Sequence, residues 1–321
     1  MKNFNFIVMP LYVVSIIFAL SSSSWMMIWI SMEMNLLTFI FLILKKKTNM
    51  SMESSMKYFL IQSSGSLIFL FSLMTNMTYY NQMFTLSALV PPLALILKSG
   101  MAPLHTWTPE IVSKFNYQSL YLFITFQKIV PLTIMFSSWS DMMSWIMIFN
   151  IMIGSIGGLT QSSIYKMILY SSINNSGWMI MSLMESMFMF TLYFLIYSMM
   201  NFMVINFLEK NQIKWIIQIK SYSHYKKYLF SSMMLSLSGL PPFMGFLTKW
   251  LVISMLYTNY KMIIMISLMF SILTMFFYIK CSITLLSSSF WLNKWNINYP
   301  TPSNIFLVIN IFSPLIYFTL T

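Results

Sequence analysis

Long apolar runs recur along the whole chain, separated by short polar segments that carry most of the lysines. Within each run the apolar residues are continuous rather than alternating, so they predict helices and not the strands of a barrel. A bilayer core about 30 Å thick needs about 20 apolar residues per helix. Backbone facing lipid must also satisfy its hydrogen bonds within the segment. The sequence therefore predicts an all-α membrane protein with about eleven transmembrane helices: 5–22, 24–44, 56–74, 84–107, 117–138, 142–160, 164–182, 187–208, 228–256, 260–286 and 303–320. No soluble domain fits in the gaps. The longest, from Glu209 to Lys227, is basic and aromatic and is expected to lie along the membrane surface. The first apolar stretch runs directly into a second, as a retained helix does and a cleaved targeting peptide does not.

Composition supports this and removes several classes. Only 7% of the residues are charged and 58% are hydrophobic, against about 25% charged in soluble domains. The mean hydropathy is +0.75. Cys281 is the one cysteine, which precludes a disulfide within the chain and a protein-held iron–sulfur cluster, since such clusters usually need four cysteine ligands. No GxGxxG and no P-loop occurs, so a redox or nucleotide cofactor would have to sit in other chains. The chain has 35 Met and no Arg among its 18 basic residues. Membrane physics does not favour Met over Leu or Ile. The bias is the one expected of an AT-rich mitochondrial genome with a reassigned Met codon.

The net charge of +12 does not imply nucleic acid, because the lysines sit in loops and at helix ends. If the predicted spans alternate across the membrane, Lys2, Lys45, Lys46, Lys47, Lys57, Lys114, Lys166, Lys210, Lys214, Lys220, Lys226, Lys227 and Lys294 fall on the N-terminal side, and Lys261 alone on the other. That asymmetry places the N-terminus on the matrix side of a multi-pass protein.

Four ionisable residues remain inside spans: Glu33, Lys98, Lys128 and Lys249. A charge at the bilayer centre costs roughly 2.5–3.5 kcal/mol on insertion scales, so three lysines cost on the order of 8–10 kcal/mol. Such residues persist only when paired, hydrated or functional. One alternative is a set of ion pairs that fix helix packing, but one glutamate cannot neutralise three lysines. Burial favours the neutral amine and a neighbouring carboxylate favours the ammonium. A lysine poised between the two can gain and lose a proton, and a row of them is a proton relay. Lys280, near the end of its span, is expected to snorkel to the interface.

Two predicted helices are interrupted beside these lysines. One reads Pro91-Pro92 through Lys98-Ser99-Gly100 to Pro103 and His105. The other reads Ser238-Gly239-Leu240-Pro241-Pro242 and continues to Gly245 and Lys249. Proline removes a donor and frees a carbonyl one turn back, which a membrane tolerates only beside protein or a water-filled cavity. A Pro kink serving shape alone is the simpler alternative, but a lysine beside each break favours an ion site. Ser171, Asn174 and Asn175, with Ser172 beside them, form a polar stripe on one helix face. It serves either interhelical hydrogen bonding or a hydrated path. His105 either joins the relay or caps the break. Gly154, Gly157 and Gly158 allow close helix approach.

Six stretches resemble the subunit 2 family of the NADH dehydrogenase of animal mitochondria, respiratory complex I: Trp29 to Leu37, Lys57 to Gln62, Lys98 to Glu110, Gln127 to Pro131, Tyr170 to Ile173 with Gly177-Trp178, and Gly239 to Trp250. The resemblance covers residues 29–250, in the family's order. It implies an antiporter-like inverted-repeat bundle: a single membrane domain over 1–321, with a first bundle at about 24–138, a second at about 142–256 and C-terminal helices at about 260–320. It implies that Glu33 pairs with Lys98, that Lys128 continues a central hydrophilic axis, and that Lys249 passes protons on. It implies a proton-pumping subunit of the mitochondrial inner membrane, among other membrane-arm subunits that include neighbouring antiporter-like ones, with lipids around it. NADH, FMN, iron–sulfur clusters and ubiquinone are then handled elsewhere in the complex, and no cofactor or metal is expected in this chain. Asn175 departs from the family, where His is frequent, and Asn does not titrate in the physiological range. A stand-alone cation/proton antiporter would use a similar relay, but the chain lacks a second intramembrane carboxylate for a cation. An inert membrane scaffold is the remaining alternative.

Overall fold

The computed structural model describes residues 2–75, 86–220, 222–258 and 260–286. Among them every regular element is helical, and the only β-type pairing is an isolated bridge between Ser163 and Trp215. The expected helix at 303–320 and Lys294 lie outside the described residues. The chain divides into two compact units, Met1–Ile146 and Met147–Thr321.

In the first unit, α1 (Lys2–Ser21) packs on α2 (Trp25–Ile43), α2 on α3 (Asn49–Met74), and α3 on α4 (Leu86–Ser99). Polar residues mark the helix starts. Ser24 accepts from Met27 N, and Thr48 forms a capping box with Ser51, which satisfies the otherwise orphaned first-turn donors. The outer faces are apolar, with Ile7, Val14, Leu67 and Phe71 each largely exposed. Such faces suit lipid and not water. The unit continues through α5 (Thr108–Val112), α6 (Tyr117–Ile124), a 3-10 turn (Phe126–Lys128), α7 (Ile129–Ser138), a second 3-10 turn (Ser140–Met142) and the start of α8 (Met143–Leu159).

In the second unit, α9 (Ile164–Glu185) packs on α10 (Met187–Asn211) and α13 (Met244–Leu256). The helix α12 (His224–Ser238) packs on α10, α13 and α14 (Lys261–Leu286), and the short α11 (Ile216–Ile219) lies in the basic loop. The glycines of α8 do permit close approach. A Cβ on Gly154 would stand 2.5 Å from the backbone nitrogen of Asn174, and one on Gly157 would strike the Tyr170 ring.

Six of the described helical stretches are long and apolar enough to cross a membrane on length and composition alone: Trp25–Ile43, Asn49–Met74, Tyr117–Ser138, Ser140–Leu159, Met187–Asn211 and Lys261–Leu285. The predicted spans 84–107 and 228–256 are broken in the structure, whereas α1 and α9 run unbroken through the predicted spans 5–22 and 164–182. The first break follows α4. Gly100 turns to φ +66°, Met101 N reaches back to Ile96 O, and Gly100 N bonds Leu97 O. This is a Schellman end, for which glycine is the favoured residue. The second break follows α12 in the same way, with Gly239 at φ +81°, Leu240 N reaching Leu235 O and Gly239 N bonding Ser236 O. Pro241 and Pro242 then lie in the non-helical link.

The span expected to be continuous over 117–138 contains a third interruption. Pro131 has no N–H for the carbonyl of Gln127 and its ring crowds that carbonyl. The chain leaves α-geometry at Thr125 (φ −112°, ψ −82°) and makes the 3-10 turn before re-entering a helix at Ile129.

Gly100→Ala should destabilise the protein by about 1–2 kcal/mol through the left-handed backbone alone. The clash of the new methyl with Thr108 and Trp107 adds to this. A thermal melt in detergent checks it, and a curve superimposed on that of the parent protein would refute the role assigned to this turn.

Candidate functional site

Lys98, Lys128 and Lys249 are buried and each sits at one of the three interruptions, whereas a fourth buried lysine, Lys227 near the start of α12, does not. Lys98 occupies the last turn of α4, where the unsatisfied carbonyls of the helix end favour a cation. Its ammonium lies 3.7 Å from Glu33 Oε1 on α2, with side-chain exposures of 5% for Lys98 and 29% for Glu33. The pair is ionic rather than hydrogen-bonded, since neither Lys98 Nζ nor Glu33 Oε1 has a hydrogen-bond partner among the described residues. The backbone of the break is held separately. Gln62 Nε2 on α3 donates to Lys98 O at 2.9 Å, which satisfies a carbonyl that the broken helix leaves open.

Beside Lys98 is a small recess of about 30 Å³, lined by Ala19, Ser31, Met32, Asn35, Leu36, Tyr58, Gln62, Lys98, Gln127, Val130 and Pro131. Its polar members come from α2, α3, α4 and the 3-10 turn. A polar recess of this size has room for one or two waters. A packed aromatic group supports it from one side: Phe39 stands 5.0 Å from Tyr58 and 6.2 Å from Phe123, and Trp107 stands 5.8 Å from Phe123, centroid to centroid.

Lys128 ends the 3-10 turn and caps α7, with its backbone N–H on Thr125 O at 3.2 Å. Its side chain is 2% exposed. Lys249 lies in the second turn of α13 and is also buried. Its ammonium donates to Ser238 O, the last carbonyl of α12, at 2.8 Å. It also lies 5.6 Å from the centroid of the buried Trp178 ring on α9. The break at Gly239 thus supplies the negative end of a helix, and the indole supplies a π face. A Cβ on Gly239 would press on Lys249 Nζ at 3.2 Å.

The polar stripe of α9 is buried and bonded. Ser171 and Ser172 donate to Ile168 O and Leu169 O one turn back. Asn175 donates to Ser171 O at 2.9 Å and accepts from Tyr193 Oη of α10 at 3.0 Å. Its amide therefore ties α9 to α10. Asn174 Oδ1 is buried without a hydrogen-bond partner among the described residues. His105 lies in the link after α4, where its Nδ1 contacts Pro103 O at 3.1 Å and its carbonyl accepts from Thr108. Pro103 is exposed and follows a cis peptide bond from Ala102. The turn itself is made by Gly100. Lys280 is exposed on α14. Among the described residues, no cluster of three or more His, Cys, Asp or Glu side chains could hold a metal.

The family resemblance implies a Glu33–Lys98 pair, and the two side chains stand 3.7 Å apart. Gln62, Tyr58, Asn35 and Gln127 around the recess and Trp178 in the second unit fall in the stretches that carry the family resemblance but were given no site role, and Tyr193 was overlooked. For the amides the signal was present: Gln62 and Gln127 are uncharged polar residues inside otherwise apolar spans.

Residues 22–276 match the model of the NADH:quinone oxidoreductase/Mrp antiporter transmembrane family. Among curated proteins, the NADH-ubiquinone oxidoreductase chain 2 of Anopheles gambiae is 36% identical over 306 residues, covering 92% of this chain and 89% of that protein. The chain 2 of Pongo pygmaeus is 33% identical over 324 residues, covering 92% and 90%. The chain belongs to the NADH-ubiquinone oxidoreductase chain 2 family.

Solved structures agree on the fold of that family. A chain of respiratory complex I from Thermus thermophilus superposes with a TM-score of 0.76 at 18% identity, covering 98% of this chain and 76% of that one. A chain of the Mrp complex from Dietzia sp. superposes with a TM-score of 0.73 at 14% identity, covering 92% and 61%. At these identities the likeness concerns fold alone, and it is the antiporter-like membrane fold.

Breaking a buried ion pair by removing one partner destabilises, whereas replacing both members by apolar groups often does not. Glu33→Gln should therefore lower stability by about 2 kcal/mol, and Glu33→Gln combined with Lys98→Met should recover most of the loss. Melting curves of the two variants decide it, and a double variant less stable than the single one would contradict the pairing.

Proposed function

We infer that this chain is the proton-translocating subunit 2 of mitochondrial respiratory complex I. It couples NADH:ubiquinone oxidoreduction, carried out elsewhere in the complex, to proton movement across the inner membrane. The observation that carries the mechanism is the coincidence of buried lysines with broken helices. Lys98, Lys128 and Lys249 are each buried and each at an interruption. Such a site can hold a cation at some moments and a neutral amine at others.

In this reading Glu33 and Lys98 form the charge switch. The ammonium of Lys98 is held by a carboxylate 3.7 Å away rather than by hydrogen bonds. A displacement of α2 lengthens the contact and weakens that attraction. The amine then favours its neutral form and gives its proton to water in the adjoining recess. Restoring the contact recharges it. Lys128 is the central station of the relay and Lys249 the terminal one. At Lys249 the carbonyl of Ser238 and the face of Trp178 stabilise the charged state. His105, Ser171, Asn174 and Asn175 are auxiliary. Asn175 is engaged on both its donor and acceptor sides, so it supports the relay as a neutral, structural group.

The finer architecture belongs to the same proposal. Eleven spans, two bundles at about 24–138 and 142–256 related as inverted repeats, and a matrix-side N-terminus account together for the broken helices and for the lysine asymmetry. Other membrane-arm subunits are the partners. NADH, FMN, iron–sulfur and ubiquinone chemistry is carried by other chains. The likeness to an Mrp chain keeps a stand-alone cation/proton antiporter as the competing reading. Relatives named as chain 2 at 30–36% identity over most of the chain favour the complex I subunit.

Lys128→Met should impair proton pumping and slow quinone reduction in the assembled complex. NADH oxidation by a hydrophilic artificial acceptor, which runs in other subunits, should continue. Vesicle acidification and NADH absorbance measured together check this, and undiminished pumping by an assembled Lys128→Met complex would remove Lys128 from the relay.

A further inference from the structure

Two of the polar residues that line the recess beside Lys98 are hydrogen-bonded to each other. Gln127 Nε2 donates to Asn35 Oδ1 at 2.8 Å. Both residues line the recess with Lys98, whereas Lys128 does not. Asn35 stands two residues after Glu33 on α2, and Gln127 stands immediately before Lys128 in the 3-10 turn. The bond therefore ties the helix that carries the switch carboxylate to the turn that carries the next lysine.

We propose that Gln127, latched to Asn35, is a positioning residue that closes the Lys98 recess towards the Lys128 turn and opens it when α2 moves. The proposal rests on the proton-relay reading and adds a gate to it. Three observations support it. The latch joins two neutral amides, so it breaks without separating charge, and neither amide carries a net proton at physiological pH. Gln127 lies in the one stretch of this span that is not α-helical, because Pro131 leaves the Gln127 carbonyl without its helical donor. Its backbone is therefore less bound than that of a helix interior. Finally, the latch partner is on α2, so a displacement that alters the Glu33–Lys98 contact pulls on the latch as well. The carboxylate that controls the charge of Lys98 and the amide that controls access to Lys128 then respond to one movement.

The test uses the assembled complex in proteoliposomes and opposite changes to the latch. Gln127→Ala removes the gate and should raise the passive proton leak of inhibitor-blocked complex several-fold and lower the protons delivered per NADH oxidised. Asn35→Ser breaks the same bond from the other side and should reproduce both effects, which covers the case in which Gln127→Ala does not assemble. The paired apolar variant Gln127→Leu with Asn35→Leu should seal the recess, with membranes that remain tight and pumping that falls. A merely structural role predicts that all three variants lose assembled complex or overall rate together, with tight membranes and an unchanged ratio of protons to NADH, and that result overturns the gate. Leak and ratio at parental values in both single variants overturn it equally. The parent complex measured in parallel separates the two levels: if the parent does not pump, the relay reading fails, and if it pumps while the variants match it, only the gate fails.

Discussion

The structure depends on one electrostatic arrangement: ammonium groups buried in a membrane domain at the ends of interrupted helices. A charge in hydrocarbon and an open carbonyl in hydrocarbon are each costly alone. Placed together they compensate. At Lys249 the compensation is direct, through the bond to Ser238 O, with the Trp178 face behind it. At Lys98 it is divided, with Gln62 taking the backbone carbonyl and Glu33 balancing the charge. The two glycine turns exist for this reason. Gly100 and Gly239 let the helix stop inside the span without leaving all of its last carbonyls unbonded.

In the proposed relay, that arrangement leaves the site poised rather than rigid. A fully hydrogen-bonded ion pair would hold its proton, and a lysine in lipid alone would lose it. Lys98 sits between these limits, with a counter-charge at 3.7 Å and no hydrogen bond to it. The surrounding aromatic cluster and the helix contacts fix the backbone.

The all-helical membrane fold was legible in the sequence because bilayer physics leaves few choices. Apolar runs of span length mean helices, and Glu33, Lys98, Lys128 and Lys249 stand out against them as costly exceptions. The two glycine-linked breaks were readable from Gly239-Leu240-Pro241-Pro242 and from the stretch after Lys98, although Gly100 makes the first turn and Pro103 only follows it. The third break was not read, even though Pro131 was in view. Pro131 lies in the interior of the predicted span, where a proline kinks or breaks a helix, and only the local backbone shows that the chain leaves the helix at Thr125. The amides around the recess were illegible for a different reason. Asn35, Gln62 and Gln127 are cheap enough in an apolar span to go unremarked, and their meaning comes from partners 36 and 92 positions away in sequence. Asn175 shows the reverse: it is conspicuous in sequence, but its hydrogen bonds are those of a helix tie.

The central claim is that the buried amines themselves carry protons. Chemical rescue tests it most directly. Lys249→Ala in the assembled complex deletes one amine and leaves space for a small one, and proton pumping is measured with and without added short primary amines. A proton-carrying role predicts that pumping is lost in Lys249→Ala and partly returned by the amine, with the recovery tracking the amine's basicity and size. Pumping that persists in Lys249→Ala without any added amine would contradict the account.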